Sequence, residues 1–320
     1  MKVGVIGTGS MGENHVRTYT SLSRYCQLVG IYDSDKNRGR EIADKYQVNL
    51  FDSITELLQA VDIVSIAVPT EYHYEIGLAC IQHKVHMLME KPIASNGNQA
   101  KILIKKANAA GVKIQVGHIE LYNPIINIIK NILVDEEVIA IDIHRMNPYD
   151  SRVLKVDVVH DLMIHDIYIL RELLNDEITD FYAIGKTIDE TSKHAMVIAK
   201  FTNGITAQLT ASFKSIEKIR TICIFTEKSL IKGNILDRKI EIIKLPKYYI
   251  KQEDGHLPQR IIETIEIPSN EPLKMQLIDF IDCVKNDTTP KVTGEDGVKA
   301  LTICNKISSF ISNSSRKKGD

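Results

Sequence analysis

The sequence predicts a two-domain protein: an α/β domain with a doubly wound parallel sheet, followed by an α+β domain. Three observations carry that prediction. Short β-branched runs alternate with helical segments as far as residue 116, a spacing that implies right-handed βαβ crossovers. After about residue 120 the pattern changes to closely spaced strand-like runs joined by tight turns, which favours antiparallel pairing. The chain is also 320 residues long, more than one hydrophobic core comfortably serves.

Val3 to Ile6 is short, apolar and β-branched and reads as a buried strand, with a helix from Met11 to Leu22. Leu28 to Tyr32 is the next strand, closed by Asp33 and followed by a polar-faced helix from Lys36 to Tyr46. A short helix over Thr55 to Gln59 precedes the strand Asp62 to Val68, which Pro69 stops. Tyr72 to His83 is helical, His86 to Met89 a strand, Gly97 to Ala110 a helix ended by Gly111, and Lys113 to Val116 the last strand of the series. Beyond it, Ile125 to Leu133 reads as helix, Val138 to Arg145 as an alternating strand, and Val158 to Leu174 as one long helix. Strands follow at 179–184, 196–201, 205–213, 220–225, 239–243 and 261–267, with a turn at Thr202-Asn203-Gly204. Helices return at Leu273 to Lys285 and Asp296 to Ser312. The domains are therefore expected at 1–120 and 121–312, with 313–320 as a flexible polar tail.

Composition narrows the function. Lys+Arg number 40 against 41 Asp+Glu, so nothing suggests the basic excess of nucleic-acid or membrane-surface binders. Five scattered cysteines, none in a CxxC pair, fit reduced thiols in a reducing compartment. The opening MKVGVIGTGS runs into glycines too soon for a secretory leader, and no apolar run reaches the roughly 18 residues that span a bilayer, so a cytoplasmic location is expected.

Gly7-Thr8-Gly9-Ser10-Met11-Gly12 is G-x-G-x-x-G between a strand and a helix, with an acid about 20 residues on at Asp33. In that setting the first glycine permits a tight turn and the second lets backbone approach a pyrophosphate. The third lets helix and strand pack closely. The helix start then holds phosphate, and Asp33 accepts the adenosine ribose hydroxyls and repels a 2′-phosphate. NAD is expected over NADP, although Arg38 and Arg40 stand near enough in sequence to receive that phosphate.

Further motifs carry a family resemblance. Glu90-Lys91-Pro92 follows the strand His86–Met89, Asp161-Leu162-Met163-Ile164-His165-Asp166 lies on the long helix, and Val68-Pro69-Thr70 is followed by His73. With the glycine loop, these resemble the glucose–fructose oxidoreductase / inositol dehydrogenase / MocA (Gfo/Idh/MocA) family over residues 1 to about 175. Val116-Gly117-His118-Ile119-Glu120, Tyr122-Asn123-Pro124 and the run Arg145-Met146-Asn147-Pro148-Tyr149 to Arg152 are similar to UDP-N-acetylglucosamine 3-dehydrogenase-like members. There are two departures: Leu121 stands where that subgroup commonly has Arg, and Tyr168 where many members have Asp.

The resemblance implies a Rossmann domain followed by a second domain built on a large open, mainly antiparallel sheet, with the nicotinamide in the crevice between domains. It also implies oxidation of a hydroxyl on a sugar, polyol or nucleotide sugar. Gly7, Gly9, Ser10, Met11, Gly12, Asp33, Pro69, Thr70, His73, Glu90 and Lys91 are the expected cofactor contacts. Lys91 and His165 would face each other across the reacting carbon, with Asp161 in support.

Residue chemistry fits but leaves alternatives open. Alcohol oxidation needs a base with a pKa near neutrality, which suits His165 and equally a desolvated Lys91. Asp161, four residues before His165 on one helical face, can orient the imidazole. His118, Tyr122, Asn123, Arg152 and His160 are candidate substrate contacts, and Arg145 is a second candidate for a diphosphate. No metal is expected, because His160 and His165 are five apart and lie on different helical faces. The Lys91–Pro92 bond is expected to be cis. An apolar sheet face left uncovered suggests a homodimer or homotetramer. The competing readings are a free-sugar or inositol dehydrogenase on the same scaffold and a non-catalytic NAD-binding sensor.

Overall fold

The computed structural model describes residues 1–244 and 260–316, apart from the side chains of Arg152 and of 314–316. The chain divides into two compact units, Met1–Tyr122 with Glu271–Thr302, and Asn123–Asn270 with Ile303–Asp320.

The first unit runs β1 (Lys2–Ile6), α1 (Ser10–Thr20), β2 (Gln27–Tyr32), α2 (Lys36–Tyr46), β3 (Asn49–Leu50), α3 (Ile54–Ala60), β4 (Ile63–Ile66), α4 (His73–Gln82), β5 (His86–Glu90), α5 (Gly97–Ala110) and β6 (Ile114–Gly117). Its six strands are all parallel, in the order β3-β2-β1-β4-β5-β6. Val3, Val5, Ile6, Ile63, Val64 and Ile66 have no exposed surface, as expected of parallel strands covered on both faces. The order reverses between β1 and β4, so the segments leaving their C-terminal ends meet at the switch point where such sheets bind ligands.

Linear order puts 121–312 in the second domain, but the helix Pro272–Lys285 packs in the first unit. Its Leu273, Leu277, Phe280 and Ile281 share one buried cluster with Val3, Val5, Val16, Tyr19 and Leu22. Burying four such side chains contributes about 6–12 kcal/mol of transfer free energy, which a unit ending at residue 120 would forgo.

The second unit contains α6 (Pro124–Ile132), β7 (Val138–Pro148), a π turn (Val159–Met163), α7 (Ile164–Leu174), β8 (Ile178–Ile188), β9 (Thr191–Phe201), β10 (Thr206–Ser215), β11 (Ile219–Thr226), β12 (Ser229–Asn234), β13 (Lys239–Lys244) and β14 (Ile261–Glu266). The eight strands lie in the order β14-β13-β12-β11-β7-β10-β9-β8. Among the described residues, only β7–β10 pair in parallel; every other pairing of this sheet is antiparallel. Gly204, at φ +89°, makes the β9–β10 turn. Alternation sets two faces. Ile141, Ile143, Val197, Leu209, Ile222 and Ile224 are buried on one. On the other, pairing aligns Tyr182, Ile198, Gln208, Asp142, Cys223 and Lys232 in a row, with Tyr182 and Ile198 each 60% exposed.

The Pro272–Lys285 helix is α8, and α9 (Gly294–Arg316) closes the chain. The expected tail is helical over 313–316, and 317–320 lie outside the described residues. No helix among the described residues is long and apolar enough to cross a membrane.

Candidate active site

The β1–α1 turn is built by steric necessity at two glycines. Gly7 sits at φ +85°, and a Cβ there would lie 2.7 Å from the Ala67 carbonyl oxygen; one at Gly12 would lie 1.9 Å from the Gly7 carbonyl oxygen. Gly9 differs: a Cβ there would meet no atom within 4 Å, and its φ of −60° is open to any residue. Nothing in the fold itself requires glycine at that point, whereas a phosphate approaching the backbone does. Gly9 is also the N-cap of α1 and brings no side-chain acceptor to the first-turn amides, where exposed Ser10 and half-buried Met11 begin the helix. The cradle fits a dinucleotide.

Asp33 closes this loop from the end of β2. Its Oδ2 accepts from the Thr8 amide and the Thr8 hydroxyl, both at 2.6 Å, and Oδ1 accepts from the Asp35 amide at 2.8 Å. Arg38 is spoken for. Its Nε donates to the Thr8 carbonyl at 3.0 Å, one terminal nitrogen to Glu13 at 2.5 Å, and the other lies 2.9 Å from Glu41. Hydrogen bonds from Lys45 and then Arg38 pull the Glu13 carboxyl down to about 2, so it is ionised wherever the protein is folded at ordinary pH.

The Glu90-Lys91-Pro92 segment leaves the end of β5, and its Lys91–Pro92 peptide is cis, as expected. Lys91 is half-buried. The Glu90 side chain turns inward. It is buried, its Oε1 lies 3.1 Å from His15 Nε2, and a Cβ on Gly117 would meet its carboxylate at 2.8 Å. His15, not among the expected site residues, is marked by its place on the buried stripe Gly12, His15, Val16, Tyr19 of α1. His73 is likewise inward, 1% exposed, with Nδ1 2.9 Å from the Pro92 carbonyl and Nε2 2.9 Å from the Val68 carbonyl. Burial pushes its pKa down, while the two carbonyls work against that by favouring the charged ring. Expected as cofactor contacts, Glu90 and His73 have these side-chain atoms committed to the protein; His73 ties the segment after β4 to the one after β5. Pro69 is exposed and Thr70 half-buried at the start of the short turn before α4.

In the second unit, the helix expected over Val158–Leu174 is α-helical only from Ile164, after the π turn. Asp157 stands just ahead of that turn; its Oδ1 takes the amides of Val159 and His160 and lies 3.2 Å from His160 Nδ1. Burial works to raise the Asp157 carboxyl, but bonds from His160, Ser308 and the Ser192 amide outweigh it and hold it below the usual carboxylate range. Asp161 lies on the π turn and His165 in the first turn of α7, both half-buried. Beneath them, Arg145 of β7 bonds Asp166 at 2.7 Å with both groups buried.

Several substrate candidates therefore have other work. His160 lies between Asp157 and Asn305 Oδ1, the latter at 2.7 Å from Nε2. Arg145 is sealed against Asp166 and cannot meet a surface diphosphate. Tyr122 is 6% exposed and donates its hydroxyl to Asp279 at 2.6 Å; burial first, then Asp279, pushes that hydroxyl's pKa far upward. Asn123 caps α6 by accepting from the Ile125 amide, and His118 is 1% exposed. Arg152 lies on the short turn Ser151–Val153.

Comparison with known proteins agrees with this geometry. Residues 1–118 match the description "Oxidoreductase family, NAD-binding Rossmann fold", and residues 140–231 match "GFO/IDH/MocA C-terminal domain". The chain is 29% identical over 286 residues to a UDP-N-acetylglucosamine 3-dehydrogenase of Acidithiobacillus ferrooxidans, covering 89% of this chain and 88% of the relative. It is 24% identical to a myo-inositol 2-dehydrogenase of Thermotoga maritima, covering 95% and 94%. Among solved structures, the A. ferrooxidans UDP-N-acetylglucosamine 3-dehydrogenase GnnA superposes with a TM-score of 0.90 at 26% identity, covering 98% of both chains.

Proposed function

The chain belongs to the GFO/IDH/MocA oxidoreductase family, and from that premise we propose that it oxidises a sugar secondary hydroxyl, C3 of a nucleotide sugar such as UDP-N-acetylglucosamine, using NAD. The observation that carries the substrate choice is the near full-length likeness to a UDP-N-acetylglucosamine 3-dehydrogenase.

NAD supplies the hydride acceptor. The chain's own residues do the rest. The Gly7–Gly12 loop and the first amides of α1, at Ser10 and Met11, hold the pyrophosphate. Asp33 accepts the adenosine ribose hydroxyls and keeps a 2′-phosphate away, while Arg38, neutralised by Glu13 and Glu41, offers such a phosphate nothing. Pro69 and Thr70 border the nicotinamide half. Lys91 polarises the reacting hydroxyl, and His165 takes its proton as the hydride leaves carbon. Asp161 orients the imidazole or grips a neighbouring sugar hydroxyl. Glu90 and His73 act on Lys91 from behind, by fixing the segment that carries it. Arg152 is the remaining substrate contact in this proposal. The open sheet face, with Tyr182, Ile184 and Ile198 exposed, is covered by a second copy in a homodimer or homotetramer.

A second reading, an inositol dehydrogenase, is favoured by the myo-inositol 2-dehydrogenase likeness over nearly the whole chain. Turnover of UDP-N-acetylglucosamine, myo-inositol and glucose, followed by NADH absorbance, separates the two. NADH from the nucleotide sugar supports the proposal; brisk turnover of myo-inositol alone overturns it. Lys91→Ala should abolish turnover with NAD affinity within a few-fold, and full activity in that variant would refute the lysine's role.

A further inference from the structure

Lys193 is the most unusual buried residue of the second unit. It has no exposed surface, although lysine is almost never fully buried unless paired. The cause is a β-bulge: Thr187 pairs with Ser192 and Lys186 with His194, leaving Lys193 as the extra residue on β9. Ser192 and Lys193 are consequently both buried, where strict alternation would expose one of them.

The ammonium ends in a cage of backbone. Nζ donates to the carbonyls of Val153 at 2.8 Å, Leu154 at 2.7 Å and Val156 at 2.9 Å, and to the Thr191 hydroxyl. Three N–H groups thus serve four acceptors, and the three carbonyls among them come from four consecutive residues at the end of a short helical turn. A cation there offsets the carbonyl dipoles much as one does at a helix C-terminus. The next residue, Asp157, is held from the same bulge, since its Oδ2 accepts from the Ser192 amide at 3.3 Å. Its Oδ1 takes the Val159 and His160 amides and the Ser308 hydroxyl. A continuous clamp therefore runs from β9 through Lys193 and Asp157 into the first turn of the helix that carries Asp161 and His165.

We propose that the Lys193–Asp157 clamp on residues 153–160 is the positioning device for His165, fixing where the π turn begins and hence where the imidazole sits. The inference rests on the reading of His165 as the base, but the clamp itself is tested without turnover. Neither residue touches substrate; both act through the helix. A displacement of the base by about 1 Å costs on the order of 100-fold in rate, so removing the clamp should show in kcat rather than in cofactor binding.

The experiment pairs hydrogen-exchange mass spectrometry with steady-state kinetics on the full chain, wild type against Lys193→Met. The methionine keeps the length of the stem and removes the charge. The expected result is exchange in peptides spanning 158–165 faster by about tenfold or more, with β10 and β11 unchanged. With it, kcat falls on the order of 100-fold while the NAD Kd stays within about threefold. A merely structural role would instead raise exchange across the whole sheet and lower the active fraction without this local signature. If Lys193→Met does not fold, Asp157→Asn carries the same test, with the same local exchange and a kcat loss of roughly tenfold. Exchange at 158–165 unchanged in the folded variant, or raised equally throughout the unit, overturns the proposal. So does a kcat within threefold of wild type. A wild-type chain that turns over no sugar defeats the functional reading alone, because the exchange result still decides whether the clamp orders that helix.

Discussion

Replacing the charge on Asp33 should change which dinucleotide the protein uses, and the size of the effect follows from the loop geometry. The carboxylate is fixed by three hydrogen bonds, from the Thr8 amide, the Thr8 hydroxyl and the Asp35 amide, so it cannot swing away from an incoming phosphate. A 2′-phosphate brings about −1.5 to −2 charges. At about 4 Å and an effective dielectric near 20, each like-charge pair costs about 4 kcal/mol before screening. Asp33 is half-buried, so about 2–3 kcal/mol should survive, which is roughly 30- to 150-fold in kcat/KM for NAD over NADP. The cation that would offset it, Arg38, is already paired with Glu13 and Glu41. Asp33→Asn keeps a carbonyl acceptor for Thr8 while removing the charge, so the preference should fall to within about tenfold. Initial rates of reduced-dinucleotide formation with each cofactor give both ratios. A wild-type preference under tenfold, or an unchanged preference in Asp33→Asn, would rule out charge repulsion by Asp33 as the source of the selectivity.

Three further outcomes are expected. His73→Ala leaves the Val68 and Pro92 carbonyls without their partner and should cost about 2–4 kcal/mol by denaturant unfolding, with kcat/KM down at least tenfold through Lys91. Glu13, whose folded pKa of about 2 lies below its ordinary 4.5, contributes stability that is fully present above pH 4.5 and lost as pH falls toward 2. The Tm gap between wild type and Glu13→Gln, roughly 2–4 °C for about 1 kcal/mol in a partly exposed network, should therefore close across that window in a calorimetric pH series. Ile198→Glu, at a position 60% exposed on the open sheet face, tests the proposed oligomer: light scattering should show a smaller mass than for wild type, and an unchanged mass would remove this face as a subunit contact.

The parts of the fold that were legible in the sequence were those where local chemistry and tertiary context agree. The βαβ alternation, the glycine loop with Asp33 and the Gly204 turn each say locally what the whole unit needs. β12 was missed because Ser-Leu-Ile-Lys-Gly-Asn ends in turn residues, yet Gly233 is accommodated there by the close approach of Ile222 and Ile129. The place of α8 was missed because its apolar face says only that it packs, and Phe280 joins the buried cluster of Val3 and Val5 across some 270 residues of chain. At the site, sequence named the loops but not the duties of their side chains. His73 and Glu90 read as ligand contacts and turn inward, and His160 reads as pocket lining and is held by Asp157 and Asn305. Lys193 was the least visible of all. In an alternating strand a lysine reads as solvent-facing, and only the bulge in the β8–β9 register sends it inside.

Oxidation at C3 of a nucleotide sugar is tested with UDP-N-acetylglucosamine deuterated at C3, incubated with NAD and the full chain, and mass analysis of the reduced cofactor. The expected product is NADH carrying the deuterium, formed more slowly than from unlabelled sugar. NADH without deuterium, or none from this sugar when myo-inositol gives it, would rule out C3 oxidation of this nucleotide sugar.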